Sequence, residues 1–231
     1  MKKFASIIVS LLVAGVLFAD DTDMTLTSGS LAFLNEAGEY ACLEIDWSKA
    51  QVVEFDRRMN VDKNFGSIAQ YNQKQGSDWV KDWPEVQRRA TEGVMMRKNG
   101  SYCFNKKNKG GLQMCSGPLT WKFYTTTKDT DEKESYEKHY MMVDPKQAKY
   151  KFVVTVNKID MGNGVAAGFG MSMQSGGAIM TGTMKAVEIK TGKTVATFDI
   201  KSCKGVGNYA QYIRLQLLFS ELFAYGLLGL K

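Results

Sequence analysis

The chain has a single histidine, His139, among 231 residues. That scarcity excludes most histidine-ligated metal centres and weakens any Ser–His or Cys–His nucleophile arrangement. No serine lies in a Gly-x-Ser-x-Gly turn, so the nucleophile elbow of the α/β-hydrolases is missing. Charge of one sign is also scarce: the formal excess is +6, spread along the chain. A nucleic-acid binder concentrates its basic residues into a stripe, so nucleic acid is not an expected partner. The first apolar run, Ile7 to Phe18, falls short of the ~20 residues of a membrane helix. No transmembrane span is expected.

That run is informative in its own right. Lys2 and Lys3 precede it, Ala19 ends it, and Asp20, Asp21 and Asp23 follow. A charged start, a short apolar stretch and a small residue at the end make residues 1–19 a secretory signal peptide. The residues at the junction are Phe18, Ala19 and Asp20, with no lipobox cysteine, so no lipid anchor is expected. Lys2 and Lys3 leave with the signal, which lowers the net charge of the mature chain to +4. Its expected location is periplasmic or secreted.

Four cysteines remain after cleavage: Cys42, Cys103, Cys115 and Cys203. In an oxidising compartment an even number favours disulfides, with three connectivities open. Cys103 and Cys115 enclose a short segment in which Gly110-Gly111 can reverse the chain; they are the natural local pair. Cys42 and Cys203 then pair or stay free. The competing state is four reduced thiols packed separately as small hydrophobes.

Residues 20–38 are small and polar and read as a flexible N-terminal segment, leaving 39–231 as a single α/β domain. Ala41, Leu43 and Ile45 alternate with Cys42, Glu44 and Asp46, the pattern of a half-buried strand. Ser77 or Asp78 can cap a helix starting near Trp79. Its stripe is Trp79, Trp83, Val86, Ala90 and Val94, with Pro84 tolerated only near the first turn. This helix runs on towards Asn105, or breaks at Gly100 and leaves 101–117 as a hairpin. Thr125 to Lys138 is charged without an apolar period and reads as a solvated loop. Strands follow at 150–156, 178–189 and 194–203, the last two joined by a tight turn at Thr191-Gly192-Lys193. A helix from about Asn208, apolar around most of its circumference, closes the chain and is expected to lie buried across the sheet. The expected fold is α+β: a single domain with a mixed, mainly antiparallel sheet of four to six strands and two main helices packed on it.

No residue set qualifies as catalytic, cofactor-binding or metal-binding, and no cofactor is expected. Thr191-Gly192-Lys193-Thr194 lacks the earlier glycine of a phosphate-binding loop, since Val187 stands there. Gly162, Gly164, Gly168 and Gly170 miss the dinucleotide fingerprint, but the segment 162–177 around them is a candidate cleft for a small or glycan ligand. Met171, Met173, Met180 and Met184 offer soft thioethers suited to cuprous copper, yet Met180 and Met184 share a strand face with Ala178 and Ala186, which favours core packing. Glu44 and Asp46 fall on one strand face, a geometry open to paired-carboxylate chemistry and far commoner on a plain charged surface.

Six segments carry a resemblance: ACLEIDWSKAQ, SDWVKDWPEVQRR, the passage from Phe104-Asn105 to Gly111-Leu112, AKYKFVVTVNKIDMGNG, AIMTGTMKAVEIKTGKTVATF and the closing helix. Together they resemble a group of small exported, largely uncharacterised proteins of Bacteroides-type bacteria. More distantly, the order of strand, Gly-rich connection, TGK hairpin and last helix is similar to the α/β domain of the curli-secretion and penicillin-binding-protein-activator group. That resemblance implies an envelope assembly or regulatory factor, although the lipidation cysteine of that group is missing. The leading expectation is a non-enzymatic cell-envelope protein whose partner is another envelope protein or a cell-wall component. A small-ligand or glycan binding module is the alternative, and a hydrolase of unrecognised type the third.

Cleavage after Ala19 is expected. The intact mass of protein recovered from the envelope fraction should match a chain starting at Asp20. Full-length protein in the cytoplasm would refute export.

Overall fold

The structure, a computed structural model, describes residues 22–56, 61–95, 103–161, 178–205 and 211–231. The alternation beginning at Tyr150 builds a strand of 11 residues, Tyr150–Asp160, around which a single eight-stranded sheet is assembled. In chain order its members are β1 (Thr22–Gly29), β2 (Tyr40–Asp46), β3 (Gln51–Asp56), β4 (Val61–Ser67), β5 (Gln113–Met114), β6 (Tyr150–Asp160), β7 (Ile179–Glu188) and β8 (Thr194–Lys204). The main path runs β1-β8-β7-β6-β2-β5. β1, β8, β7 and β6 pair antiparallel in succession, whereas β2 pairs parallel with both β6 and β5. Past the turn closed by Ala50 N–H on Trp47 O, the chain resumes beside β6 as β3, which forms a hairpin with β4.

Six helices are described: α1 (Ile68–Gln75), α2 (Ser77–Met95), α3 (Phe104–Lys107), α4 (Pro118–Thr126), α5 (Thr130–His139) and α6 (Gln211–Glu221), the last continuing as a π-turn over Leu222–Leu227. The architecture is therefore the mixed, mostly antiparallel α+β domain read from the sequence, with more strands and more helices than expected.

One sheet face is covered. Phe152, Val154 and Val156 of β6, Met184 and Ala186 of β7, and Phe198 and Ile200 of β8 point to it and are buried with Leu215, Leu218, Phe219 and Leu222 of the last helix. α2 crosses α6 where Gly93 lies so close that a Cβ there would stand 2.0 Å from the Gln216 carbonyl oxygen. Only a residue without a side chain permits that approach. The buried stripe Val86, Ala90 and Val94 lies on the same helix. Pro84 sits inside α2 rather than in its first turn; packing of the stripe compensates for the backbone donor that proline removes.

Two readings are corrected and one open alternative is decided. The segment expected to be flexible, 20–38, contains β1, hydrogen-bonded to β8, and a 3₁₀ turn at Ala32–Asn35. Its polar side chains suit an edge strand, and Met24, Phe33 and Leu34 are its buried anchors. The charged stretch 125–138 holds the end of α4 and most of α5. Asp129 caps α5 by accepting from the Asp131 and Glu132 N–H groups at 3.0 and 3.1 Å, and Tyr136 anchors it. A helix fixed by one cap and one aromatic shows no apolar period. Of the two alternatives left open for 101–117, the hairpin does not form over the described residues 103–117: β5 joins β2 in parallel, and α3 precedes it. The turn at Thr191-Gly192-Lys193 is as expected, with Gly192 at φ +68°.

Gly93→Ala should lower stability by about 1–3 kcal/mol, and Leu218→Asp and Leu222→Asp by more than about 4 kcal/mol, since each would bury an uncompensated charge. Urea titrations followed by circular dichroism check this. Near-wild-type midpoints for both Asp variants would place the helix at the surface.

Candidate functional site

Two places combine a concavity with polar groups. The first lies where the end of β2 meets α2 and α4. Trp47 follows β2 directly, and its ring makes edge contacts with Trp83 at 5.5 Å and Phe219 at 6.2 Å between centroids. Its indole N–H is buried without a hydrogen-bond partner, a state that costs about 1–3 kcal/mol. Trp47 lines a cleft of about 160 Å³ together with Glu44, Gln87, Thr91 and Leu119.

Behind this cleft lies an ion network. Arg88 and Glu92, one turn apart on α2, are 6% and 2% exposed and form a salt bridge. Arg88 also reaches Glu85 at 2.5 Å, and its guanidinium lies 4.0 Å from the centre of the Phe123 ring of α4. Glu92 accepts from the Tyr136 hydroxyl at 2.9 Å and the Tyr140 hydroxyl at 3.3 Å. The Thr91 and Thr120 hydroxyls meet at 3.2 Å. Burial pushes the Glu92 carboxyl up against the pull of Arg88. Burial also opposes the Arg88 charge, but Glu85 and Glu92 outweigh it and hold the guanidinium more firmly protonated than usual. Burial and the Glu92 carboxylate raise Tyr140 in turn. The charges answer one another, which makes the network a clamp joining α2, α4 and α5 rather than an acid–base pair facing a substrate.

The second place is a hollow of about 590 Å³ between α3 and the π-turn, lined by Lys107, Asn108, Ala224, Tyr225 and Lys231 among others. Phe104 seats α3 edge-on against Phe223, which meets Phe152 of the sheet in the same way. The Leu228 N–H bonds the Phe223 and Tyr225 carbonyls. Between them the Ala224 carbonyl accepts from the Lys107 ammonium at 2.9 Å, which also stands 3.4 Å from the Tyr225 ring centre. Asn108 donates to the Leu34 and Leu112 carbonyls and accepts from Lys231, each at 2.9 Å. Burial lowers the Lys107 ammonium against the opposing influence of Glu221. Two ammonium groups suit an anionic ligand group, and π-turns recur at functional sites.

The residues singled out from sequence are placed elsewhere. Gly162, Gly164, Gly168 and Gly170 lie outside the described residues, as do Met171 and Met173. Met180 and Met184 are buried in the core. Glu44 pairs with Lys151 at 2.8 Å, and Asp46 accepts from the Ser48 N–H at 2.9 Å, so the two carboxylates serve separate partners. His139 ends α5 at the surface. Cys103 and Cys115 are not bonded; no disulfide joins any of the four cysteines, all of which are buried. Cys115 instead packs against Cys42 and Ala148, on the sheet face away from the core. Among the described residues no group of three or more His, Cys, Asp or Glu is arranged to hold a metal ion. No described helix is long and apolar enough to cross a membrane. Sequence reasoning missed the Trp47 cleft and the buried ions, although the four-residue spacing of Arg88 and Glu92 beside the Val86–Ala90 stripe was a readable sign.

No family model matches this chain, and no curated protein matches it. Solved structures overlay on it loosely, two among them as follows. The PelC dodecamer from Paraburkholderia phytofirmans does so at TM-score 0.34 and 10% identity, over 88% of this chain and 96% of that one. Protein XCC0632 from Xanthomonas campestris, tied to the family model DUF330, does so at TM-score 0.29 and 10% identity, over 87% and 90%. Overlays this loose carry no argument about what the chain does.

Arg88→Met should cost about 3–5 kcal/mol, because Glu92 would stay buried without its cation. With the guanidinium gone, burial raises the Glu92 carboxyl further above its unfolded value. Its protonated form then supports the fold in acid, and that support is lost as pH rises through the folded pKa. Denaturation of Arg88→Met between pH 4.5 and 8 should show stability falling with pH relative to wild type; parallel curves would contradict the clamp.

Proposed function

We propose that the chain is an exported cell-envelope protein that works by binding another envelope protein, as an assembly or interaction factor without catalysis. The observation that carries this reading is the second face of the sheet. Across β6, β7 and β8 it is covered by no described helix, and its side chains form ordered rows. Asp46, Thr155, Thr183, Asp199 and Thr25 stand side by side across five strands, and Glu44, Val153, Lys185 and Thr197 form the row beside them. These residues are half-buried or exposed. A rigid, uncovered face of β-branched residues with interleaved charges of both signs suits a protein surface of complementary charge. The signal-like residues 1–19 and the resemblance to exported Bacteroides-type proteins support the envelope location in this reading.

A second reading, a small-ligand or glycan module, is favoured by the unpartnered indole N–H of Trp47 and by the hollow at Lys107. The cleft at Trp47 is smaller than the ~300–1,000 Å³ of common ligand sites, and the ammonium groups at the larger hollow already bond the Ala224 carbonyl and Asn108, which ranks this reading below the first.

A photo-crosslinking residue at Thr155 or Thr183 should capture one defined protein in intact cells, while the same residue at Lys133 on α5 captures none. Thr155→Arg with Thr183→Arg should abolish recovery of that protein and shift the melting temperature by about 2 °C or less. Equal capture from all three positions, or capture from none, would count against the contact role.

A further inference from the structure

The register of β2 and β5 brings two cysteines together that the sequence does not pair. Tyr40 stands opposite Gln113 and Ala41 opposite Met114, and the Cys115 N–H continues the ladder by donating to the Ala41 carbonyl at 2.9 Å. The next residues in this parallel register are Cys42 and Cys115. Side chains alternate across a sheet: Ala41, Leu43 and Met114 point into the main core, and Cys42 and Cys115 point to the other face. There they pack together with Ala148, beneath Tyr40 and Val143, at 6% and 2% exposure. Neighbouring strands lie about 4.8 Å apart, inside the ~4.4–6.8 Å between Cα atoms that a disulfide spans.

Neither Cys42 nor Cys115 meets this geometry with another cysteine. Cys203 lies in β8, three strand steps from β2 and on the core face beside Leu218, to whose carbonyl its thiol donates. Three steps of about 4.8 Å exceed any disulfide. Cys103 directly precedes Phe104, which is seated in the main core against Phe223, and Cys103 has no place in the Cys42–Cys115 cluster.

We propose that Cys42 and Cys115 form an intramolecular disulfide when the chain folds in the presence of a disulfide oxidant, locking the edge strand β5 to β2. One thiolate attacks a low-molecular-weight disulfide such as oxidised glutathione, forming a mixed disulfide and releasing one reduced glutathione. The second thiolate attacks the protein-bound sulfur and releases the other. Two electrons pass to the oxidant, and the two thiol protons end on the two reduced glutathiones. Burial raises both thiols, Cys115 to about 12 with the neighbouring Cys42 adding to the effect, so the exchange belongs to folding, before Tyr40 and Val143 cover the pair. Asn105 brackets Met114 through its Nδ2–H to O at 2.9 Å and its Oδ1 to N–H at 2.6 Å. The lock on β5 thereby also steadies α3 and the base of the Lys107 hollow.

Where the chain meets an oxidant rests on the export reading under Proposed function; the pairing does not. Reduced mature protein is unfolded in urea, refolded in a buffer of reduced and oxidised glutathione, alkylated and mapped without reductant. A peptide joining Cys42 to Cys115, with Cys103 and Cys203 alkylated, is the expected result. Reduction should then lower the melting temperature on the order of 10 °C, and Cys103→Ala should leave the joined peptide intact. A different pair, or four alkylated thiols, overturns the proposal. Alkylating cells before lysis tests the location separately: free Cys42 and Cys115 there, with the bond formed on refolding, refute export and leave the pairing standing.

Discussion

Strand β6 is hydrogen-bonded along both edges, and the placement of every other layer follows from that. One edge holds β7 over the full length of β6; the other is shared by β2 and then β3. Its inward side chains Tyr150, Phe152, Val154, Val156 and Ile159 are all buried. Side chains alternate along the strand on either side of the irregularity between Val156 and Lys158, so a slip of one residue would turn this whole set outward. The covered and uncovered faces of the sheet are therefore set by one strand's register.

The helical layer is held to that face by close approach and by aromatic edges. Gly93 lets α2 reach the Gln216 backbone, and α6 in turn lays Leu218, Phe219 and Leu222 on the sheet. Phe152, Phe223 and Phe104 continue the contact edge to face from the sheet through the π-turn to α3. Placement of Lys107 and Asn108 at the hollow is a consequence of this packing. The buried Arg88–Glu92 pair sits on the other side of α2 and fastens α4 and α5. Buried ion pairs contribute little net stability but are costly to break, which suits a device that fixes the position of two short, charged helices.

Much of the fold was legible in sequence because periodicity reports burial directly. The alternations at 41–46 and 150–156, the hairpin at Gly192 and the stripe Val86, Ala90 and Val94 all appear where the pattern put them. The misreadings share a cause. β1 is an edge strand with few buried residues, and α5 is fixed by a cap and a single buried tyrosine. Neither leaves an apolar period to read. Of the candidate sites almost nothing was legible, since the Trp47 cleft and the Lys107 hollow are each built from segments far apart in the chain.

By itself, the sequence determined the α+β class, the long antiparallel strands and the burial of the last helix, because each depends on local spacing of apolar residues. Tertiary structure alone decided which cysteines are neighbours. Loop length favoured Cys103 with Cys115, whereas strand register sets Cys115 beside Cys42, 73 positions away in the sequence. It also decided that across β6, β7 and β8 one sheet face is covered by no described helix, since alternation marks which residues share a face but not whether another layer will cover it.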